Sequence, residues 1–303
     1  MEKSKAKALG VAPLSAIDLP HAEYVRAAHA AGFGAIGLRL EAVSVTDVPF
    51  PRDRGSKDFR GIVSALAETG LEVLDVEVLS IRPDTTREEW LPLLELGAEL
   101  GASYLNVVGD HPDLTAFADI VAALTVDAEI FQIQPVLEPV GFRPLNNFDT
   151  AVQIARAAGC GVELDVLHYM RTEADFSTIA DNPDLFPILQ LCDAPTELSG
   201  HGERLIPVAR SRKMVDLMIA EARDLRLLPG HGNAPIGELL AALQRTARIS
   251  VEIPNTELRA GRPAPEYLRM LASETTAYLG SITGSERAKD LPTINRKEQN
   301  RVE

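Results

Sequence analysis

Along this chain, short apolar runs of strand length alternate with longer stretches in which apolar residues recur at helical spacing, and turns rich in Pro, Gly and Asp separate them. The runs are Ala8 to Leu14, Ala35 to Leu40, Leu71 to Leu79, Ser103 to Val108, Gln134 to Val140, Gly161 to Leu167, Phe186 to Asp193 and Arg248 to Pro254. The helical stretches between them include Asp18 to Gly32, Phe59 to Gly70, Trp90 to Leu100, Leu114 to Phe131, Asn147 to Gly159, Asp175 to Leu185, Lys213 to Leu225 and Ile236 to Ala247. Asp18 and Thr86 are placed to cap helices, Pro20 suits a first helical turn, and Gly32 and Gly101 suit helix ends. Strands in alternation with helices predict a parallel sheet. Open sheets of that kind usually carry a Gly-rich phosphate loop after the first strand, and none follows here, so a closed barrel is expected. The predicted fold is α/β, a single (β/α)8 TIM barrel over residues 1–284, with an extra C-terminal helix from Pro265 to Leu279 and a disordered, mixed-charge tail over 285–303.

Four of the apolar runs carry an oxygen-bearing side chain near their ends. These are Glu138, Asp165, Gln190 and Glu252. In such barrels the C-terminal strand ends converge on one mouth, where the sheet fixes each backbone and the loops vary. Charged groups inside apolar strands are costly to bury unless they are paired or bind a cation. Three converging carboxylates therefore point to one divalent metal ion. All-oxygen ligation favours Mn²⁺ or Mg²⁺, with Zn²⁺ and Co²⁺ as alternatives.

Charge narrows the partners. The 303 residues contain 44 Asp+Glu against 30 Lys+Arg, a formal net charge of −14, which repels nucleic acid unless a basic patch intervenes. The basic clusters at Arg210 to Lys213 and Arg296 to Arg301 read as a helix start and a polar tail. The 2 cysteines, Cys160 and Cys192, lack the spacing of a disulfide framework or zinc motif, which fits a reducing cytoplasm. Neither a signal-peptide core nor a membrane-spanning window is expected. The partner read from this is a small, sugar-like molecule, with no nucleic acid and no membrane, while apolar outer helix faces permit a homo-oligomer.

Leu137-Glu138-Pro139, Leu164-Asp165-Val-Leu-His168, Leu189-Gln190-Leu-Cys-Asp193-Ala-Pro195, Leu228-Pro-Gly-His-Gly232 and Val251-Glu252-Ile-Pro254 together resemble the xylose-isomerase-like barrel superfamily of sugar phosphate isomerases and epimerases. The likeness spans roughly Ala8 to Gly280. It implies that Glu138, Asp165, Gln190 and Glu252 ligate one divalent metal, that Glu138 and Glu252 carry protons, and that His168 contacts substrate oxygen. The sequence departs from the usual pattern twice: the third ligand, commonly His, is Gln190, as in dehydroshikimate-dehydratase-like members, and a frequent Gly-Glu-Gly turn reads Gly230-His231-Gly232.

The implied chemistry is metal-assisted removal of a proton next to a carbonyl, giving an enediolate. An epimerase or isomerase of a sugar, polyol or hydroxy-ketone is the first reading. A dehydratase of the inosose or dehydroshikimate kind, with His168 or His231 as acid, is the alternative. A nuclease acting at abasic sites would need three zinc ions and many histidines, and 6 are present. Arg204 and His231 are further candidates to touch substrate. Arg39 and Glu77 read as a structural ion pair or as substrate contacts, and Asp110-His111 as flanking the site or capping a loop.

Overall fold

The computed structural model describes residues 8–289 except 45, 46, 173, 206–216 and 245, with side chains as far as 282. Eight parallel strands close into a barrel in chain order. They are β1 (Gly10–Val11), β2 (Ala35–Arg39), β3 (Glu72–Ile81), β4 (Tyr104–Gly109), β5 (Gln134–Glu138), β6 (Gly161–Asp165), β7 (Ile188–Leu191) and β8 (Arg248–Val251). β1 pairs with β2 on one side and β8 on the other, which seals the sheet and leaves no strand edge. Almost every strand residue is buried, as expected when helices cover the outside and side chains fill the axis.

The helices stop where backbone chemistry lets them. Left-handed glycines follow four of them, at Gly32, Gly70, Gly101 and Gly159. Ser56 and Asn147 accept backbone N–H groups at helix starts, and the Thr86 N–H donates to Glu89 Oε1 at 3.0 Å. Asp18 does not cap the first helix, His21–Ala31; Pro20 holds that position and Asp18 accepts from Arg259 at 2.9 Å. Trp90 is a wall residue, its indole N–H donating to Asp127 at 2.9 Å.

The final helix is longer than its apolar pattern predicts, running Ala264–Lys289, so residues 285–289 are helical rather than tail. The rest of the expected tail, 290–303, lies outside the described residues, as do 213–216 of the helix expected from Lys213, which is seen as Leu217–Asp224. Among the described residues no helix is long and apolar enough to cross a membrane.

The axis of this barrel is unusual. Such barrels are normally filled by layers of Val, Ile and Leu, yet here Asp75-Val-Glu77 on β3 and Glu163-Leu-Asp165 on β6 each place two carboxylates one period apart, hence on one face. Gly37 on the neighbouring strand leaves space for Asp75, because a Cβ there would lie 2.9 Å from Oδ1.

Candidate active site

Strand register assembles the mouth. Asp165 pairs with Gln190, Gln190 with Ser250, and Val108 with Glu138, so these residues share the inward face of adjacent strands. Glu252 follows β8 directly. Glu138, Gln190 and Glu252 line a cavity of about 130 Å³ together with Arg39, Glu77 and His168. Asp165, fully buried, lies against the same group: ligand atoms of Glu138, Asp165 and His168 fall within 4.8 Å of one another. A larger cleft of about 290 Å³ opens beside the barrel between Leu14 and Tyr267, where Arg259 and Asp18 are already paired.

The expectation that only an ion makes these carboxylates tolerable is corrected by Arg226. Its guanidinium, 2% exposed, donates from Nη1 to Asp165 Oδ2 at 2.5 Å and from Nη2 to Glu252 Oε2 at 2.9 Å. Arg39 likewise donates to Glu77, Nη2 to Oε2 at 2.8 Å. The pair read from sequence as structural or substrate-binding is thus a buried ion pair that also lines the cavity.

These two cations do not balance the mouth. With Glu77, Glu138, Asp165 and Glu252 all ionised, as ligation would require of the ligands among them, four negative charges would face the two positive ones of Arg39 and Arg226, because the rim arginines Arg143 and Arg223 pair with Asp110 and Asp47. The shortfall equals one divalent ion. Gln190 Oε1 and His168 Nδ1 are buried without hydrogen-bond partners, which is the signature of a donor set short of an acceptor of its lone pairs. The residues therefore fit a divalent ion, held by Glu138 and Asp165 with Gln190, His168 and Glu252 at hand. A ring nitrogen among the donors would widen the range toward borderline ions.

The proton affinities follow from burial and this charge balance. Burial, then the nearby Asp165 charge, pushes the Glu138 carboxyl up to about 7. Burial pushes the His168 ring down to about 4, so it is neutral at ordinary pH. Asp165 goes the other way: burial would raise it, but Arg226 and His168 outweigh burial and hold it low. Burial raises Glu252 well above the usual range against the pull of Arg226. The consequence is a division of labour, with Asp165 a fixed anion and Glu138 poised to gain or lose a proton.

Asn106, which the sequence reading passed over, organises Glu138. Its Nδ2 donates to Glu138 Oε2 at 2.9 Å and to Glu163 Oε2 at 2.5 Å. Glu138 Oε1 is left facing His168 Nε2 at 3.7 Å. Below this layer Glu163 and Asp75 are raised well above their ordinary values, chiefly by burial.

A pH dependence follows. Glu138, Glu163, Asp75 and Glu252 bind protons more tightly folded than unfolded. The stability they lend is complete below the unfolded values, 4.5 for Glu and 3.8 for Asp, and is lost as pH rises, through about 7 for Glu138. His21 and His168 are lowered, so their contribution stops changing above 6.5. The chelated protein is therefore expected to melt at progressively lower temperature from about pH 6.5 to 8, and added Mn²⁺ to flatten that trend. Thermal unfolding in EDTA and in Mn²⁺ reads it directly, and a chelated protein that gains stability over this interval contradicts the assignment.

Two expected substrate contacts lie elsewhere. Arg204 is exposed and drawn to Glu257 at 3.8 Å. His231 is exposed because Asp193 ties the flanking amides of Gly230 and Gly232 inward, which leaves the ring in solvent. Asp110 accepts from Arg143 at 2.8 Å, and His111 accepts the Asp113 N–H at 3.0 Å, a loop cap.

Against known proteins, a family model described as xylose isomerase-like TIM barrel matches residues 25–274. No curated protein sequence matches the chain. A solved xylose isomerase-like TIM barrel/4-hydroxyphenylpyruvate dioxygenase fusion protein is similar over 94% of this chain, with 21% identity and a TM-score of 0.68; the match spans 44% of that protein's length. D-allulose 3-epimerase from Methylomonas sp. is 16% identical, with a TM-score of 0.61 over 93% of this chain and 100% of that one. A protein described as a 3-DHS dehydratase, AsbF, from Bacillus anthracis is 11% identical, with a TM-score of 0.62 over 89% and 98%. At these identities the likeness is one of fold.

Proposed function

This chain belongs to the xylose isomerase-like TIM barrel family, and on that premise we propose that it is a divalent-metal-dependent isomerase or epimerase acting on a sugar, polyol or related hydroxy-ketone. The observation that carries this reading is Glu138. It is the mouth carboxylate that no guanidinium holds, its proton affinity sits near neutrality, and Asn106 leaves one oxygen facing a neutral His168. Such a group is matched to removing a proton from carbon next to a carbonyl.

In this reading Glu138 takes the proton from one face of the substrate. His168, neutral and unpartnered at Nδ1, orients a substrate oxygen. Glu252, just past the end of β8 and raised by burial, returns a proton from the other face. A divalent ion held by Glu138, Asp165 and their neighbours would supply the positive charge that steadies the developing enediolate. The acting groups Glu138, His168 and Glu252 are themselves buried, while Val43 and Arg143 at the rim of the same cavity are exposed.

The test is solvent deuterium incorporation. Protein loaded with Mn²⁺ is incubated in D₂O with a panel of ketoses and keto-polyols, and label is expected at the carbon beside the carbonyl. Lack of exchange into every member, with the ion verified as bound, sinks this reading.

A second reading, a hydro-lyase, is favoured by one specific arrangement. Glu252 is engaged by Arg226 while Glu138 is not, so proton transfer is better served on one face than on two. Expulsion of a β-hydroxyl needs only that one face, and the relative described as a 3-DHS dehydratase shares the fold. New absorbance from a conjugated enone or aromatic product, without label in recovered substrate, distinguishes it.

A further inference from the structure

Arg226 was described above as a partner of two carboxylates; its setting says more. It sits outside the regular strands, between the helix Leu217–Asp224 and the turn at Leu228, and isolated bridges on either side, Asp193 with Leu227 and Leu225 with Asn255, fix its backbone. Its Nε donates to Ala222 O at 2.9 Å, and Nη1 also lies 3.7 Å from Cys192 Sγ. The side chain lines the cavity.

Asp165 has no disengaged oxygen. Oδ1 accepts the His168 backbone N–H at 2.9 Å and Oδ2 accepts Arg226 at 2.5 Å. The first partner is fixed by the backbone of the helix that begins at Val166. The second is the end of a long side chain with open space before it. Any cation entering beside Asp165 meets a positive charge already seated there, and like charges at such range repel strongly where water is excluded.

We propose that Arg226 is a built-in counter-ion that competes with the divalent ion for Asp165 and Glu252, so that loading the site withdraws the guanidinium from at least one of them. The proposal rests on the metal reading of this site. It explains how two buried carboxylates stay compensated in metal-free protein, where neither would otherwise have a cation. It also makes metal affinity a difference between two occupants rather than a property of the ligands alone.

The test uses the metal by itself. Titration calorimetry of chelated wild-type protein and Arg226→Met with Mn²⁺ is expected to show binding tighter by about tenfold or more in the variant, the loss of a competitor. Should the variant fold only when Mn²⁺ is added, that rescue is the same result in another form.

A second arm leaves the residue in place. Wild-type protein labelled with ¹⁵N-arginine is titrated with Mg²⁺ while its side-chain Nε–H resonances are followed, and one solvent-protected resonance is expected to move or broaden at saturation. Equal or weaker Mn²⁺ binding by a folded variant, or a protected resonance unmoved with Mg²⁺ bound, overturns the displacement and leaves the metal reading standing. Binding by neither protein overturns both.

Discussion

Replacing Glu138 by Gln is expected to lower solvent exchange into the responsive substrate by about a thousandfold, within the range that a positioned general base contributes. The change is nearly isosteric and keeps an oxygen able to meet the Asn106 amide. It removes the one property the mechanism needs, a carboxylate whose proton affinity lies near neutral pH. The fold should survive, because Glu138 is buried and its charge is a cost that burial imposes. The chelated variant should therefore melt no lower than wild type at pH 8.

Metal content separates the roles of this side chain. If exchange is lost while Mn²⁺ is retained, Glu138 is the base; if both are lost, it acts first as a ligand. A variant that exchanges within a few-fold of wild type would remove Glu138 from the chemistry altogether. Any remaining proton transfer would then have to come from Glu252 or His168.

The barrel and its carboxylates were legible in the sequence for a single reason, which is that both depend on short-range pattern. A charged residue within an apolar strand run is visible as an anomaly, and period-two alternation says which face it occupies. Glu138, Asp165, Gln190 and Glu252 could be found in this way. Asp75 and Glu163 could have been found by the same rule, since each stands one period from another acid on its strand. Asn106, a polar residue within Tyr-Leu-Asn-Val-Val, carried the same signal more faintly.

What escaped depends on contacts between distant parts of the chain. Leu225-Arg226-Leu227 is too short to read as a strand, and its inward aim is set by bridges to Asp193 and Asn255. Nothing local marks Arg226 as a partner of Asp165, 61 positions away. Asp18 was misread as a cap because its partner, Arg259, lies 241 positions off. Arg204 and His231 have residue types suited to binding substrate, yet Glu257 and Asp193 decide where they sit. The final helix outran its apolar face because helix geometry continues past the last residue that needs burial.

Asp193→Ala is expected to cost about 2–4 kcal/mol of folding stability, from loss of charge-assisted hydrogen bonds and the donors it strands. The carboxylate, 2% exposed, accepts four backbone N–H groups. Oδ1 takes those of Ala194 at 2.8 Å and Ala234 at 3.0 Å, and Oδ2 takes those of Gly230 at 2.9 Å and Gly232 at 3.0 Å. The approach is close enough that a Cβ on Gly232 would lie 2.4 Å from Oδ1, so the glycine and the aspartate require each other. Gly230, at φ 84, supplies the left-handed step that aims its amide inward.

Because the turn continues directly from Leu227, whose N–H and C=O both bond to the Asp193 backbone at 2.8 Å, loosening it should also free the segment that presents Arg226. Asp193→Asn keeps one acceptor oxygen but turns an NH2 donor toward the other two N–H groups, so it should recover well under half of the loss. Urea unfolding with an unchanged slope measures the cost. A deficit below about 1 kcal/mol, the ordinary effect of a point substitution or less, would show that the turn holds itself and that this carboxylate does not anchor the segment that presents Arg226.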